Sequence, residues 1–342
     1  MATKTRTTKA RGGIDLGGTK IQTVVVDEQF SVLGQMRLPT PTHGGPQDVA
    51  DAIAATIREA CQLSDTEPDL LASIGVGSPG DVDDANGVVT SARNLPGWEG
   101  AFPLAGALQD ALGPAVSLGN DVNVATMAEF HLGAGQPYNS LLGVFWGTGV
   151  GGGVVLDGKL WLGRDAAGEI GHMVVKVGGA KCPCGRHGCM EAYAGRAAME
   201  TRARELVKKG EETDLFQIME KRGRDRLTSG IWARALVRHD PMAVRLVDRA
   251  IEALGAGVAS ACNLLDVDAV ILGGGLGVRL GDPYRKRLEH AMLPHVFADT
   301  RPPRVLLAQL GDLGGAIGAA LLASEAETAA ARAATVPAAI HQ

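Results

Sequence analysis

The sequence predicts an α/β protein of two similar domains that face one another, and three observations carry that expectation. Residues 13–27 and 143–160 repeat one pattern of strand, glycine turn and strand at a spacing of about 130 residues. Short β-branched or apolar runs alternate with stretches of helical spacing. Strands end repeatedly on glycine, at Gly17-Gly18-Thr19, Gly119-Asn120-Asp121, residues 147–153 and Gly273-Gly274-Gly275.

The composition narrows the class. A chain of 342 residues has room for two domains, each able to bury a core. Apolar residues make up 45% and charged residues 21%, the balance of a soluble globular protein. The 47 glycines, about twice the usual share, fall in clusters. A formal net charge of −5 leaves no electrostatic footprint for nucleic acid, and aromatics at 4% argue against base-stacking platforms. No apolar run approaches a membrane span and the N-terminus lacks the apolar segment of a signal peptide, so neither membrane insertion nor secretion is expected. Cys61 and Cys262 stand alone in apolar helical stretches and read as inert core thiols, a usage that fits a reducing cytoplasm.

The elements follow in order. Residues 1–11 are polar and basic without apolar periodicity and read as a disordered tail. The first hairpin occupies 13–27, with a third strand at 32–38 before a proline-bearing loop. Residues 49–63 have helical spacing behind Asp48 as N-cap. A buried strand at 73–76 runs into Gly77-Ser78-Pro79-Gly80, a short strand lies at 88–89, and 94–98 (NLPGW) form a turn-rich loop. Residues 102–112 are helical, a strand at 115–118 ends at Gly119-Asn120-Asp121, and 122–132 continue as a helix. After the second hairpin, helices are expected at 197–209, 213–221, 241–264, 284–293 and 314–323, with strands at 269–272 and 305–307. The alanine-rich end within 326–342 is expected to fray.

Between the second hairpin and those helices lies the densest chemistry. Cys182, Cys184 and Cys189 form a C-x-C-x4-C run with His172 ten positions upstream. A Cys3His set supplies the four soft or borderline ligands of a closed tetrahedral structural zinc, and Gly185 and Gly188 let the backbone turn between the sulfurs. Buried thiols, or a disulfide with one spare, fit less well, because Pro, Gly, Arg and His make a poor core segment. Glu169 and Glu191 flank the cluster, so an ion there would fix both carboxylates.

Glycine turns let backbone N–H groups approach a phosphate without Cβ interference. Several such turns, two in duplicated hairpins, point to a nucleotide held between two lobes. No stretch matches a P-loop, and 13–20 lacks the dinucleotide fingerprint. Asp15, just before the first turn, is placed to hold Mg²⁺ through water against the phosphates; its other reading is a turn cap. Asp121, at a strand end, is placed to accept the proton of a hydroxyl that attacks a γ-phosphate; its other reading is a helix N-cap. Asn94, Asn120, Glu169, His172 and Glu191 supply hydrogen-bonding groups suited to a polyol, though each singly also reads as an ordinary loop residue.

These residues carry a resemblance. Over roughly residues 12–325 the chain resembles the ROK sugar kinases and repressors, within the actin/hexokinase-like ATPase superfamily. Asp15-Leu16-Gly17-Gly18-Thr19-Lys20 is similar to that family's phosphate-1 motif and the run 147–153, with Thr148 and Gly149, to its phosphate-2 motif. Gly168-Glu169-Ile170-Gly171-His172 and the cysteine run through Glu191 are similar to its signature, and Gly274 and Gly275 to its adenosine-binding turn. The resemblance implies two ribonuclease-H-like lobes with ATP and sugar in the cleft between them: 12–125, joined by a returning helix at 311–325, and 126–310 with the zinc motif. It implies Asp121 as catalytic base, sugar contacts from Gly80, Asn94, Asn120, Asp121, Glu169, His172 and Glu191, and zinc on His172 and the three cysteines, with one ring nitrogen of His172 for metal and one for sugar. The reaction implied is transfer of the ATP γ-phosphoryl to a hexose, with glucose at its 6-hydroxyl first. N-acetylglucosamine, N-acetylmannosamine, fructose and allose are the alternative acceptors. Polyphosphate-using relatives typically lack the cysteine cluster, so ATP is the expected donor. The family's repressors carry an upstream DNA-binding domain; the twelve residues before Gly13 and the negative charge argue against that role. Relatives are often dimers or tetramers, so a homo-oligomer is expected.

Overall fold

The buried apolar runs of this chain assemble into two five-stranded sheets with the same connectivity. The computed structural model describes residues 9–92 and 94–335. They divide into two compact units, the first formed by the chain up to Ala128 together with the segment from Asp312 on, the second by Glu129–Gly311.

In the first unit the strands are β1 (Arg11–Leu16), β2 (Lys20–Val26), β3 (Val32–Pro39), β4 (Ile74–Ser78), β5 (Asp81–Asp83), β6 (Val88–Thr90) and β7 (Val116–Asn120). The helices are α1 (Pro46–Leu63), α2 (Leu104–Leu112) and the start of α3 (Asp121–Leu132). The main sheet runs β3-β2-β1-β4-β7, while β5 and β6 form a separate ribbon. β1 pairs antiparallel with β2 and parallel with β4, and β4 pairs parallel with β7. Parallel strands are covered on both faces, which is why β4 is buried throughout and reads as an unbroken run rather than an alternation. β3, at the edge, alternates exposed and buried positions instead. Ile14, Ile21, Ile53, Ile57, Ile74, Leu104 and Leu108 meet in the core of this unit.

The second unit contains β8 (Leu141–Trp146), β9 (Val150–Leu156), β10 (Lys159–Leu160), β11 (Ala269–Gly273) and β12 (Arg304–Leu307). Its helices are α4 (Glu191–Ala194), α5 (Arg196–Lys208), α6 (Leu215–Lys221), α7 (Ser229–Val237), α8 (Pro241–Leu265), α9 (Gly274–Leu280) and α10 (Asp282–Met292). The sheet order β10-β9-β8-β11-β12 copies that of the first unit, with antiparallel and parallel pairs in the same places. The repeat seen in the sequence is therefore a repeat of topology: β1 and β8, six residues each, end at Leu16 and Trp146 on equivalent glycine turns. Helix α8 is buried along much of its length, from Met242 to Cys262, and is the spine of the core.

The last helix, α11 (Gly314–Thr335), belongs to the first unit and explains its glycines. Ala316, Ala319, Ala320 and Ala323 recur at i, i+3, i+4 and i+7, and all four are fully buried. They lie so close to the sheet that a Cβ on Gly13 would run into the carbonyl of Ala316, and one on Gly75 into that of Ala319. Small residues on both sides let helix and strand backbones approach.

Several expectations are corrected. Arg11 opens β1 and is nearly buried, its Nε donating to Glu327 of α11 at 2.8 Å, while the Ser73 hydroxyl donates to the same carboxylate. A tail ending at residue 11 and fraying from 326 therefore does not describe 9–11 or 326–335; residues 1–8 and 336–342 lie outside the described residues. α1 starts at Pro46 with Gly45 as N-cap, and Asp48 is the third helical residue, reaching back to accept the Gly45 N–H at 2.7 Å. Helices α4, α7 and α9 are additions to the sequence reading.

Candidate functional site

The carboxyl ends of parallel strands are where open α/β sheets place ligands, and each unit gathers its predicted residues there. In the first unit Asp15 is paired with Gly77, and Gly77 with Gly119, along one rung of the sheet. Two strand spacings, about 10 Å, therefore separate Asp15 from the end of β7. The turn Gly17-Gly18-Thr19 is closed by Gly17 N–H donating to the Lys20 carbonyl at 2.9 Å, and Thr40 ties it down by donating its hydroxyl to the Gly17 carbonyl at 2.6 Å. Asn94 lies directly over this turn: a Cβ on Gly18 would sit 2.8 Å from the Asn94 carbonyl oxygen. The predicted sugar loop and the predicted phosphate-1 turn are thus in contact. Gly80 follows β4 and leads into the β5–β6 ribbon.

Asp15 is half-buried beside the start of α11. Desolvation pushes its carboxyl above the ordinary value, against the pull of Lys20 and Arg37, and Asp312 adds to the rise. A nearby cation would oppose that rise by favouring the charged carboxylate.

At the end of β7 two side chains meet the start of α3. Asn120 caps α3, its Oδ1 accepting from Val122 N–H at 3.1 Å and Asn123 N–H at 3.2 Å. Asp121 is the first helical residue, one carboxylate oxygen accepting from Val122 N–H at 2.9 Å. Of these three bonds at the start of α3, Asn120 accepts two and Asp121 one.

In the second unit the turn after β8 is closed by Gly147 N–H to the Gly149 carbonyl at 3.0 Å. Gly274 and Gly275 open α9, and Gly275 N lies 3.9 Å from the position of a Cβ on Gly147, so the two glycine turns adjoin. Glu191, at the head of α4, accepts from Val150 N–H at 3.0 Å with one oxygen, while Cys182 Sγ stands 3.9 Å from the other. The residue predicted for sugar thus also braces the second hairpin against the cysteine cluster. Glu169 is exposed, its Oε2 3.8 Å from His172 Nε2.

His172, Cys182, Cys184 and Cys189 place one ligand atom each within 4.8 Å of one another. Cys184 and Cys189 sulfurs are 3.8 Å apart, and Cys182 Sγ is 3.8 Å from His172 Nδ1. Tetrahedral zinc–sulfur bonds of about 2.3 Å set sulfurs about 3.8 Å apart, so the donor set fits zinc. None of the five cysteines is in a disulfide. Burial pushes the Cys182 thiol up to about 12 and raises Cys189, whereas backbone N–H donation at Arg186 pulls Cys184 down to about 7. A bound divalent cation would deprotonate all three. His172 Nδ1 faces the sulfurs and Nε2 faces Glu169, the division of nitrogens that metal on one side and a ligand on the other require. Cys61 and Cys262 are buried and are not part of this cluster, desolvation raising their thiols to about 11 and about 12.

Sequence reasoning missed Arg196, which opens α5 behind the 147–149 turn. Its Nη2 donates to Thr148 Oγ1 and its Nη1 to the Leu227 carbonyl, both at 2.7 Å. It also missed Ser229, whose Oγ lies 3.7 Å from the position of a Cβ on Gly275. Only the break at Gly195 between α4 and α5 hinted at the first, and nothing local at the second.

Comparison with known proteins accords with this geometry. The model of the ROK family matches residues 11–326. A glucokinase of Thermotoga maritima is 34% identical over 325 residues, spanning 92% of this chain and 96% of the relative. An N-acetylgalactosamine kinase of Shewanella is 33% identical, spanning 91% of this chain and 95% of that one. Among solved structures, a ROK family glucokinase from Streptomyces griseus in complex with glucose and AMPPNP superposes with a TM-score of 0.77 at 31% identity, covering 92% of this chain and 99% of that one.

Proposed function

This chain belongs to the ROK family, and on that premise we propose that it transfers the γ-phosphoryl group of ATP to a hexose, glucose to glucose 6-phosphate first. Asp121 takes the hydroxyl proton as the sugar oxygen attacks the γ-phosphorus, the bond from that phosphorus to the bridging oxygen breaks, and ADP leaves. Asn120 holds α3, and with it Asp121, at the strand end. Gly80, Asn94, Asn120 and Asp121 of the first unit and Glu169, His172 and Glu191 of the second are the residues assigned to the sugar. Asp15, Gly17, Gly18, Thr19 and Lys20, with Thr148, Gly149, Gly274 and Gly275, are those assigned to the Mg²⁺–nucleotide. Zinc on His172, Cys182, Cys184 and Cys189 would supply no step; it would fix His172 and, through Cys182, the neighbourhood of Glu191. Free cysteines fit a cytoplasmic enzyme, and no helix among the described residues is long and apolar enough to cross a membrane.

The observation that carries the reading is the place of Asp121 at the end of β7, on the same sheet edge as Asp15 and on a helix start that Asn120 holds with two bonds. A second acceptor class, N-acetylated hexosamines, is favoured by the near-equal identity to the N-acetylgalactosamine kinase. The test is ATP-dependent phosphorylation, with Mg²⁺, of glucose, N-acetylglucosamine, N-acetylgalactosamine, N-acetylmannosamine, fructose and allose. Preference for glucose supports the first reading, and preference for an N-acetyl sugar moves the acceptor but keeps the mechanism. No turnover on any of them, or an Asp121→Asn variant that keeps substantial kcat rather than losing about 10³-fold, would sink it.

A further inference from the structure

Arg196 joins three pieces of the second unit that are distant in sequence. Its backbone N–H donates to the Gly147 carbonyl at 3.1 Å and that of Ala197 to the Thr148 carbonyl at 3.0 Å, so the first turn of α5 carries the glycine turn. Its guanidinium then reaches back to Thr148 Oγ1 and across to the Leu227 carbonyl. The side chain is half-buried, yet among the described residues no carboxylate pairs with it. Glu200, the nearest acid by charge, is committed to Arg204 at 2.6 Å, Arg226 at 3.5 Å and Leu227 N–H at 2.9 Å. The Arg196 Nε–H is buried without an acceptor. Desolvation disfavours the charged form here; the charge of Glu200 opposes that effect, and the like charge of Arg226 adds a smaller repulsion. A desolvated cation without a contact anion is costly unless something outside the unliganded chain compensates it.

Thr148 supplies the geometric half of the argument. A threonine hydroxyl has one proton to donate and lone pairs to accept with. Arg196 occupies the oxygen as acceptor, so the single proton is left for another acceptor, and Thr148 is exposed. We propose that Arg196 is a positioning residue for the phosphate donor: it grips the Thr148 oxygen, turns the hydroxyl proton outward, and fixes it to donate to a phosphoryl oxygen of ATP while adding positive charge behind the turn. The inference rests on the assignment of the 147–149 turn to the nucleotide.

The experiment compares the full chain with Arg196→Lys, Arg196→Met, Thr148→Val and the Arg196→Met/Thr148→Val double variant. KM for ATP, KM for sugar, kcat and the thermal midpoint are read for each. Arg196→Met should raise KM for ATP about tenfold and lower kcat, with KM for sugar within about twofold of the parent. Arg196→Lys should recover part of the loss, since one ammonium reaches one of the two oxygens. The double variant should lose clearly less than the two single losses combined, because without the hydroxyl Arg196 has nothing to aim and keeps only its charge behind the turn. Additive losses in the double variant, or equal rises of KM for ATP and sugar, overturn the proposal. If Arg196→Met does not fold, Arg196→Lys alone and combined with Thr148→Val is judged by the same criteria. Calorimetric affinity for a non-hydrolysable ATP analogue, measured without sugar, separates the two levels. A parent that binds the analogue but phosphorylates no sugar sinks the kinase reading and leaves Arg196 to be judged by analogue affinity; a parent that does not bind it overturns both.

Discussion

The two glycine hairpins of this protein share strand order and pairing and differ in what holds them. The first, β1–β2, is braced mainly by shape: α11 presses a stripe of alanines onto Gly13 and Gly75, and Thr40 pins the turn by one hydroxyl. The second, β8–β9, is braced by polar groups. Glu191 accepts from Val150 N–H, Arg196 holds Thr148, and Cys182 of the metal-ligand set stands against the other Glu191 oxygen. A backbone turn that presents N–H groups is fixed by the chain path alone, so duplication preserves it. The scaffolding behind each turn is under no such constraint, and here one copy uses close packing and the other a polar network beside the Cys/His cluster.

The comparison breaks most readily at the metal. Cys184→Ser, or chelation, should remove zinc and lower activity at least about tenfold, since the ligand set and its neighbours act together. Hydrogen exchange should quicken across 170–191 and at the Val150 amide, whose acceptor Glu191 adjoins Cys182, while amides of β1 and β4 keep their protection. Equal loosening of both hairpins, or a fully active metal-free Cys184→Ser enzyme, would show that the second is not held as described.

The converse test is Gly75→Ala. The added methyl would meet the Ala319 carbonyl, a backbone atom that cannot rotate away. Overpacking of this kind costs about 1–3 kcal/mol. The thermal midpoint should fall while zinc stoichiometry stays at one per chain. A variant as stable as the parent would mean that α11 can lift, and that close packing is not what braces the first hairpin.

What was legible in the sequence follows the same division. Strands that stop at a glycine or at Asn120 were readable because parallel strands are short apolar runs with a sharp end. The hairpin repeat was readable because its register depends on local turns. Bracing was not. Arg11 and Glu327 are 316 positions apart, and no local pattern distinguishes an alanine-rich helix that docks from one that frays. Aspartate favours the cap position, which points to Asp48, yet Pro46 at the first helical position moves the start to Gly45. α9 was hidden by its own glycines, and α7 lies against α9 with too little sequence contrast to stand out. Asp121 was legible as a strand-end acid, but only the structure shows Asn120 taking the cap.

The smallest expected effect concerns Asp15, where charge intrudes on the hairpin held by packing. Desolvation raises its pKa in the folded chain, so the native state binds that proton more tightly than the unfolded state does. The stability this contributes is complete below the ordinary carboxylate pKa, about 4, and is lost as the pH climbs through the raised native value. Asparagine cannot ionise. Asp15→Asn should therefore melt higher than the parent at pH 8, by roughly 2 °C, with the gap closing toward pH 4. If Asp15 serves Mg²⁺, the same substitution lowers kcat sharply in the presence of saturating sugar; if it only caps its turn, kcat stays near the parent's. A lower midpoint at pH 8 would mean that the ionised Asp15 stabilises the first hairpin through Lys20 and Arg37. The first hairpin would then, like the second, be held by charge.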